Sequence, residues 1–273
     1  MLVVGASGAV GAVLAEVGVA HGDDVHGTHL HGVVPAPVQA HRLDVREGYA
    51  VQELIGRLRP DVVVTTAYRQ DDWSTTAAGP AHVALACASV GARLVHVSSD
   101  VVFDGSSPTV AEDATPHPVS DYGRAKLAAE QAVTELVPEG AVVRTSLVLG
   151  SSAGRPSPME RLVHDLASGE GDGVLFTDDV RCPVHVHDLA EALHEIAHDG
   201  MSGVLHCAGP DAVSRHEIGL LVAARDGLDP ALLRPGSRAA SGVPGPLDVR
   251  LDSSRTRAQL TTRLRGAREF LAS

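Results

Sequence analysis

The chain opens on Met1-Leu2-Val3-Val4, a short apolar run that passes directly into Gly5-Ala6-Ser7-Gly8-Ala9-Val10-Gly11. Few local patterns restrict a fold more. Glycines let the backbone turn tightly and approach a ligand closely, and the apolar residues that follow (Val10, Val13, Leu14, Val17) recur at helical spacing. A second strand, residues 25–30, comes next. Such a strand, loop and helix turn unpaired amides and the positive end of a helix dipole towards the loop, which suits a pyrophosphate. The pattern therefore predicts dinucleotide binding around Gly5, Ser7, Gly8, Ala9, Val10 and Gly11.

The alternation continues with helices near residues 49–58, 77–90 and 120–136 and strands near 62–66, 94–98 and 141–147. Strands alternating with helices imply an α/β fold of Rossmann type, a doubly wound parallel sheet covered on both faces, here over residues 1–150. The run Ser151-Ser152-Ala153-Gly154-Arg155-Pro156-Ser157-Pro158 breaks the texture, and a helix at 159–167 opens a smaller substrate lobe over 151–273. Segments 176–183 and 215–244 lack clean alternation, whereas 184–187 and 204–208 read as buried strands returning to the main sheet. The lobe is therefore expected to be discontinuous.

With 273 residues and 44% apolar content there is material for a large core, built from aliphatic side chains because only 3% is aromatic. That scarcity leaves little for stacking bases, and a formal net charge of −12 repels nucleic acid and anionic membranes. Three cysteines, Cys87, Cys182 and Cys207, have no metal-ligand spacing and suggest a reducing compartment. Neither a leader nor a membrane-length apolar run is evident, so a cytoplasmic protein is expected.

A second motif lies in Val95-His96-Val97-Ser98-Ser99-Asp100-Val101-Val102-Phe103-Asp104-Gly105, followed by Asp121-Tyr122-Gly123-Arg124-Ala125-Lys126. A buried strand ends in hydroxyls, and a Tyr and a Lys then stand one helical turn apart on the same face. An ammonium there can lower the phenol's pKa and ready it to exchange a proton with a carbonyl.

Together the two motifs resemble the extended short-chain dehydrogenase/reductases, and the stretch from His96 to Ser146 is most similar to the dTDP-4-dehydrorhamnose reductase family. The resemblance implies an NAD(P)H-dependent ketoreductase acting on a nucleotide-linked keto-sugar. Tyr122 would be the acid, Lys126 would depress its pKa and bond the nicotinamide ribose, and Ser99 would donate to the same carbonyl oxygen, with Ser98 the second choice. Asp100, Val101 and Arg181 would meet substrate. Asp44 and Val45 would lie near the adenine, Thr66 and Ala67 near the cofactor, and His29 near its adenosine end. Asp44 also reads as a helix cap.

The second strand ends in Thr28-His29-Leu30-His31, without the acid that would hold a ribose 2′-hydroxyl, which tilts the expectation to NADPH with NADH possible. Two departures from the family concern the substrate: Thr65-Thr66-Ala67 replaces an Asn-Ala-Ala segment, and Gly245-Pro246 replaces Arg-Pro. Substrate phosphates would then fall to Arg155, Arg161, Arg181 or Arg250, or the substrate would be another small carbonyl compound. A non-catalytic dinucleotide-binding subunit is the reading from a different class. Among fifteen histidines, the His29/His31 and His185/His187 pairs share strand faces without a third ligand, so no metal is assigned. Pairing through the helix that carries Tyr122 would make a homodimer.

Overall fold

The structure, a computed structural model, describes residues 1–107, 109–152 and 154–272. Along the chain the elements are β1 (Leu2–Val4), α1 (Ala9–Ala20), β2 (His26–His29), β3 (Gln39–Arg42), α2 (Gly48–Leu58), β4 (Val62–Thr65) and α3 (Gly79–Val90). Next come β5 (Arg93–Ser99), α4 (Asp121–Leu136), β6 (Ala141–Thr145), β7 (Val148–Leu149), α5 (Pro158–Ala167), β8 (Leu175–Phe176), β9 (Val180–Arg181) and β10 (Val184–His185). The last are α6 (Val186–His198), β11 (Gly203–Cys207), β12 (Val213–Ser214), α7 (Arg215–Asp226) and β13 (Pro235–Gly236), with a few shorter turns of helix.

A seven-stranded sheet in the order β11-β6-β5-β4-β1-β2-β3 carries the fold, and every pairing within it is parallel. Strand residues alternate between its faces. Val3, Val64, Val95, Val97 and Val143 join the core under α1 and α6, while Leu2, Val4, Val63, Leu94 and Val142 join the core under α2, α3 and α4. Burying each of these side chains contributes about 1.5–3 kcal/mol. The strand order reverses between β1 and β4, and a doubly wound sheet opens its ligand crevice at the carboxyl ends of the strands flanking such a point.

The predicted strands and helices of the first half are present. Within the main sheet, β3 escaped the sequence, because its residues are mostly exposed at the sheet edge and so carry no apolar alternation. Residues 204–208 do return to the main sheet, as most of β11. Residues 184–187 do not. Val184 and His185 pair only with Val148 and Leu149, and Val186 already begins α6, where Leu189, Leu193 and Ile196 impose helical spacing and the His185 ring accepts from the His187 amide as an N-cap.

Segment 215–244 likewise holds a helix, α7, capped by Ser214. The break near residue 150 ends in a capping box, Ser157 with Glu160, at the start of α5. Ala153, within that break, lies outside the described residues. The lobe has its own core, in which Met159, Val163, Leu175, Ile218, Val222 and Phe270 gather around Leu149. A smaller cluster of Val102, Phe103, Val110, Cys182, Val249 and Leu251 connects it to the end of β5. No helix of the described residues is long and apolar enough to cross a membrane.

Candidate active site

The glycine loop is packed too closely for side chains. Gly5 has φ +94°, a Cβ there would stand 2.9 Å from the Ala67 amide nitrogen, and a Cβ at Gly11 would collide with the Gly5 carbonyl and the Thr66 hydroxyl. Thr66 Oγ1 donates to the Val4 carbonyl at 3.1 Å, and the Gly5 amide donates to Thr28 Oγ1 at 3.1 Å. Thr66 and Ala67 thus fix the loop from the end of β4. The helix that follows has Gly8 as its N-cap, with no side chain bonded to its first amides. At the end of β2, the buried Nδ1 of His29 has no partner. A cradle that a Cβ would fill, uncapped helix amides and an orphaned polar atom at the end of β2 fit a dinucleotide's phosphates and polar edge.

Around the end of β5, the Ser99 hydroxyl stands near the Tyr122 phenol and favours its ionised form. The same hydroxyl lies 3.3 Å from Asp100 Oδ1. Ser98 is engaged elsewhere: its hydroxyl donates to Glu130, whose carboxylate pairs with Arg144 at 2.8 Å, all of them buried. Ser99 is therefore the hydroxyl of this pair that stands beside Tyr122. Asp100 accepts from Ser146 at 2.6 Å and is itself buried, so it braces the turn at Val101.

The start of α4 is set by two devices. Ser120 caps it through the Gly123 amide, and a Cβ at position 123 would run into the Val101 carbonyl. Glycine there lets the helix press against the end of β5, which brings Tyr122 to Ser99. Lys126, one turn on, is buried and donates to the Val97 carbonyl at 3.0 Å.

Tyr68 was not singled out from the sequence. Its ring centroid lies 5.8 Å from that of Tyr122, and the Lys126 ammonium stands over it at 5.0 Å. It follows Ala67 in the segment that departs from the family pattern, and that position beyond β4 is the signal that could have found it. Its half-exposed ring bridges acid and ammonium, the geometry of a cation–π contact.

The expectation that Lys126 depresses the Tyr122 pKa is not met. Burial first, then Tyr68 and Asp100, push the phenol above its ordinary value, with only the Ser99 hydrogen bond drawing it back. Burial also lowers Lys126, to about 8, against the pull of Glu130. The ammonium is thus present below about pH 8 and lost above it. We expect kcat/KM for carbonyl reduction to fall along an alkaline limb centred near pH 8, and a limb centred above pH 10 would show that Lys126 titrates as an ordinary lysine.

Asp44 is not a helix cap. Glu47 occupies that position ahead of α2, while Asp44 bonds the Arg46 amide at 3.0 Å and its guanidinium at 2.6 Å. Val45 is core, packed against Gly79, and its carbonyl receives His82. Arg181 is likewise not free to meet a phosphate. Its side chain is buried, lies 3.0 Å from Asp179 and 3.6 Å from Asp100, and donates to the carbonyls of Val180, Pro246 and Leu247. Desolvation favoured pairing over a ligand role. Arg250 is paired with Asp248 at 2.7 Å, and Arg161 bonds the Pro156 carbonyl.

Fold and site together define an extended short-chain dehydrogenase/reductase, a class of NAD(P)-dependent oxidoreductases. The chain belongs to the family described as RmlD substrate binding domain, which matches residues 1–273. It is 36% identical over 254 residues to the dTDP-4-dehydrorhamnose reductase of Mycobacterium tuberculosis, covering 90% of this chain and 82% of that one. It is 30% identical over 237 residues to the methionine adenosyltransferase 2 subunit beta of Xenopus laevis, covering 78% and 69%. The fold is that of the dTDP-4-dehydrorhamnose reductase from Bacillus anthracis, solved in complex with NADP, with a TM-score of 0.85 at 22% identity over 99% of this chain and 96% of the other.

Proposed function

We propose that this protein reduces the keto group of a nucleotide-linked sugar, a dTDP-4-keto-6-deoxy sugar, with NADPH as the preferred donor and NADH as a second one. The observation that carries this reading is the convergence of Ser99, Tyr122 and Lys126 at the end of β5, with Lys126 buried and donating to the Val97 carbonyl and Ser99 beside the phenol.

Gly5, Ser7, Gly8, Ala9, Val10 and Gly11 would hold the cofactor's pyrophosphate, with Thr66 and Ala67 supporting the loop. His29 would meet its adenosine ribose, Asp44 and Val45 would border the adenine, and Lys126 would bond the nicotinamide ribose. When bound, the cofactor supplies hydride to the carbonyl carbon. Tyr122 donates its proton to the carbonyl oxygen and Ser99 Oγ donates a hydrogen bond to the same oxygen, while the Lys126 ammonium, 5.0 Å over the Tyr68 ring, supplies the positive charge of the site.

Asp100 and Val101 would border the sugar. For the diphosphate, the arginines gathered on Asp179 offer a better candidate than Arg181. Arg215 lies 3.4 Å from Asp179 through a single nitrogen and keeps 25% of its side chain exposed, against 4% for Arg181. The relative named as a subunit of methionine adenosyltransferase keeps the binding-subunit reading as the alternative.

One assay separates them. Purified protein should oxidise NADPH when a dTDP-4-keto-6-deoxy sugar is added, and dTDP affinity by calorimetry should drop roughly tenfold or more in Arg215→Ala, the loss expected for a charge-assisted bond. Cofactor binding without turnover on any keto-sugar nucleotide would favour the subunit reading. A homodimer through the faces of α3 and α4, where Leu85 is an exposed apolar residue, and a cytoplasmic location complete the proposal. Light scattering at the mass of one 28.2 kDa chain would remove the dimer.

A further inference from the structure

Away from the reductase site, on the face of the sheet covered by α1 and α6, three metal-ligating side chains converge. The final turn of α6 carries His194 and His198, four residues apart and so on one helix face. Both rings meet the carboxylate of Asp23, just beyond α1: Asp23 Oδ2 lies 3.0 Å from His194 Nε2 and 3.1 Å from His198 Nε2. All three ligand atoms fall within 4.8 Å of one another. This histidine set differs from those weighed in the sequence. His26 is bonded to His41, and His185 serves as the cap of α6.

The distances fit an ion. Zinc binds imidazole nitrogen and carboxylate oxygen at about 2.0–2.2 Å, which places neighbouring ligand atoms of a tetrahedron roughly 3.3–3.5 Å apart. The two separations from Asp23 need to open by only a few tenths of an ångström. His194 is mostly enclosed, with 12% of its side chain exposed. His198 and Asp23 are partly exposed, at 39% and 19% of their side chains, so an ion has a route in and a fourth position for water. His194 and His198 line a cleft of about 490 Å³ together with His21, Glu191 and Glu195.

We propose that Asp23, His194 and His198 form a binding site for a divalent transition-metal ion of the zinc type, which clamps the turn after α1 to the last turn of α6. The residues read His194-Glu195-Ile196-Ala197-His198, the H-E-x-x-H spacing in which a free Glu serves hydrolytic zinc enzymes as a base. Here Glu195 is not free. Its carboxylate accepts from the amides of Thr261 and Thr262 and from the Thr262 hydroxyl at 2.6 Å, so the site holds an ion without a hydrolytic base.

The test uses the full chain, stripped with a chelator and titrated with Zn²⁺ and Co²⁺ at neutral pH. One equivalent of zinc should bind and raise the melting temperature as its free concentration exceeds its Kd, and cobalt should give visible bands of low coordination number. His198→Ala should weaken zinc binding at least about a hundredfold, the upper range for loss of even an outer-shell partner, and remove the cobalt bands. Asp23→Asn should do likewise, while His26→Ala keeps the full equivalent. Alanine suits this exposed last turn of α6, so the His198 variant should fold, which circular dichroism checks. Reductase turnover should be unchanged in all three. No equivalent bound by the native chain, or equal zinc affinity in native protein and the His198→Ala and Asp23→Asn variants, overturns the proposal.

Discussion

Tyr122→Phe should lower kcat by roughly a thousandfold, the middle of the range for loss of a positioned general acid, while leaving NADPH affinity nearly unchanged. The reason is the division of labour in the site. The phenol stands near Ser99 at the end of β5, and the cradle proposed for the cofactor is built from separate parts, the Gly5 to Gly11 loop and the end of β4. Phenylalanine keeps the partly buried ring, so its packing against Tyr68 should persist. Stopped-flow turnover paired with fluorescence titration of NADPH reads the two effects separately. Turnover within tenfold of the native rate would mean that the proton comes from elsewhere, with the half-exposed Tyr68 the first group to test.

The second large effect is on stability. Arg144→Ala should destabilise the fold by about 3–5 kcal/mol, because it leaves the Glu130 carboxylate buried without its partner. Both side chains are about 95% enclosed, and Arg144 also donates to the Glu112 carbonyl while Ser98 donates to Glu130. Melting should fall by roughly 10 °C or more by calorimetry. Replacing both partners, Glu130→Gln with Arg144→Met, should recover part of that loss, since no unpaired charge then remains. A single variant as stable as the native chain would show that water reaches the pair. Glu130→Gln should also move the alkaline limb of kcat/KM further down, because Glu130 is the group that holds the Lys126 pKa up.

Much of this was legible from spacing alone. The loop Gly5 to Gly11, the apolar alternation of the strands and the Tyr122/Lys126 pair each rest on a local period of backbone geometry, and local geometry is written into consecutive residues. What stayed hidden depends on partners distant in the chain. Strand β3 gave no pattern because an edge strand need not be apolar. The Val184 to His187 alternation looked like a strand, but the apolar stripe of α6 beginning within it outweighed four residues of period two. Arg181 looked like a phosphate ligand until Asp100, Asp179 and three carbonyls enclosed it.

By itself, the sequence determined the doubly wound α/β architecture, the glycine loop that opens it and the Tyr122/Lys126 pair, since all three follow from residue type at fixed short spacing. Tertiary structure alone decided which of Ser98 and Ser99 meets the phenol, that Tyr68 joins the site, that Arg181 is spent on buried carboxylates, and that Asp23 meets His194 and His198. Each of those outcomes turns on desolvation and on contacts between residues far apart in the chain, and neither is encoded in any local period.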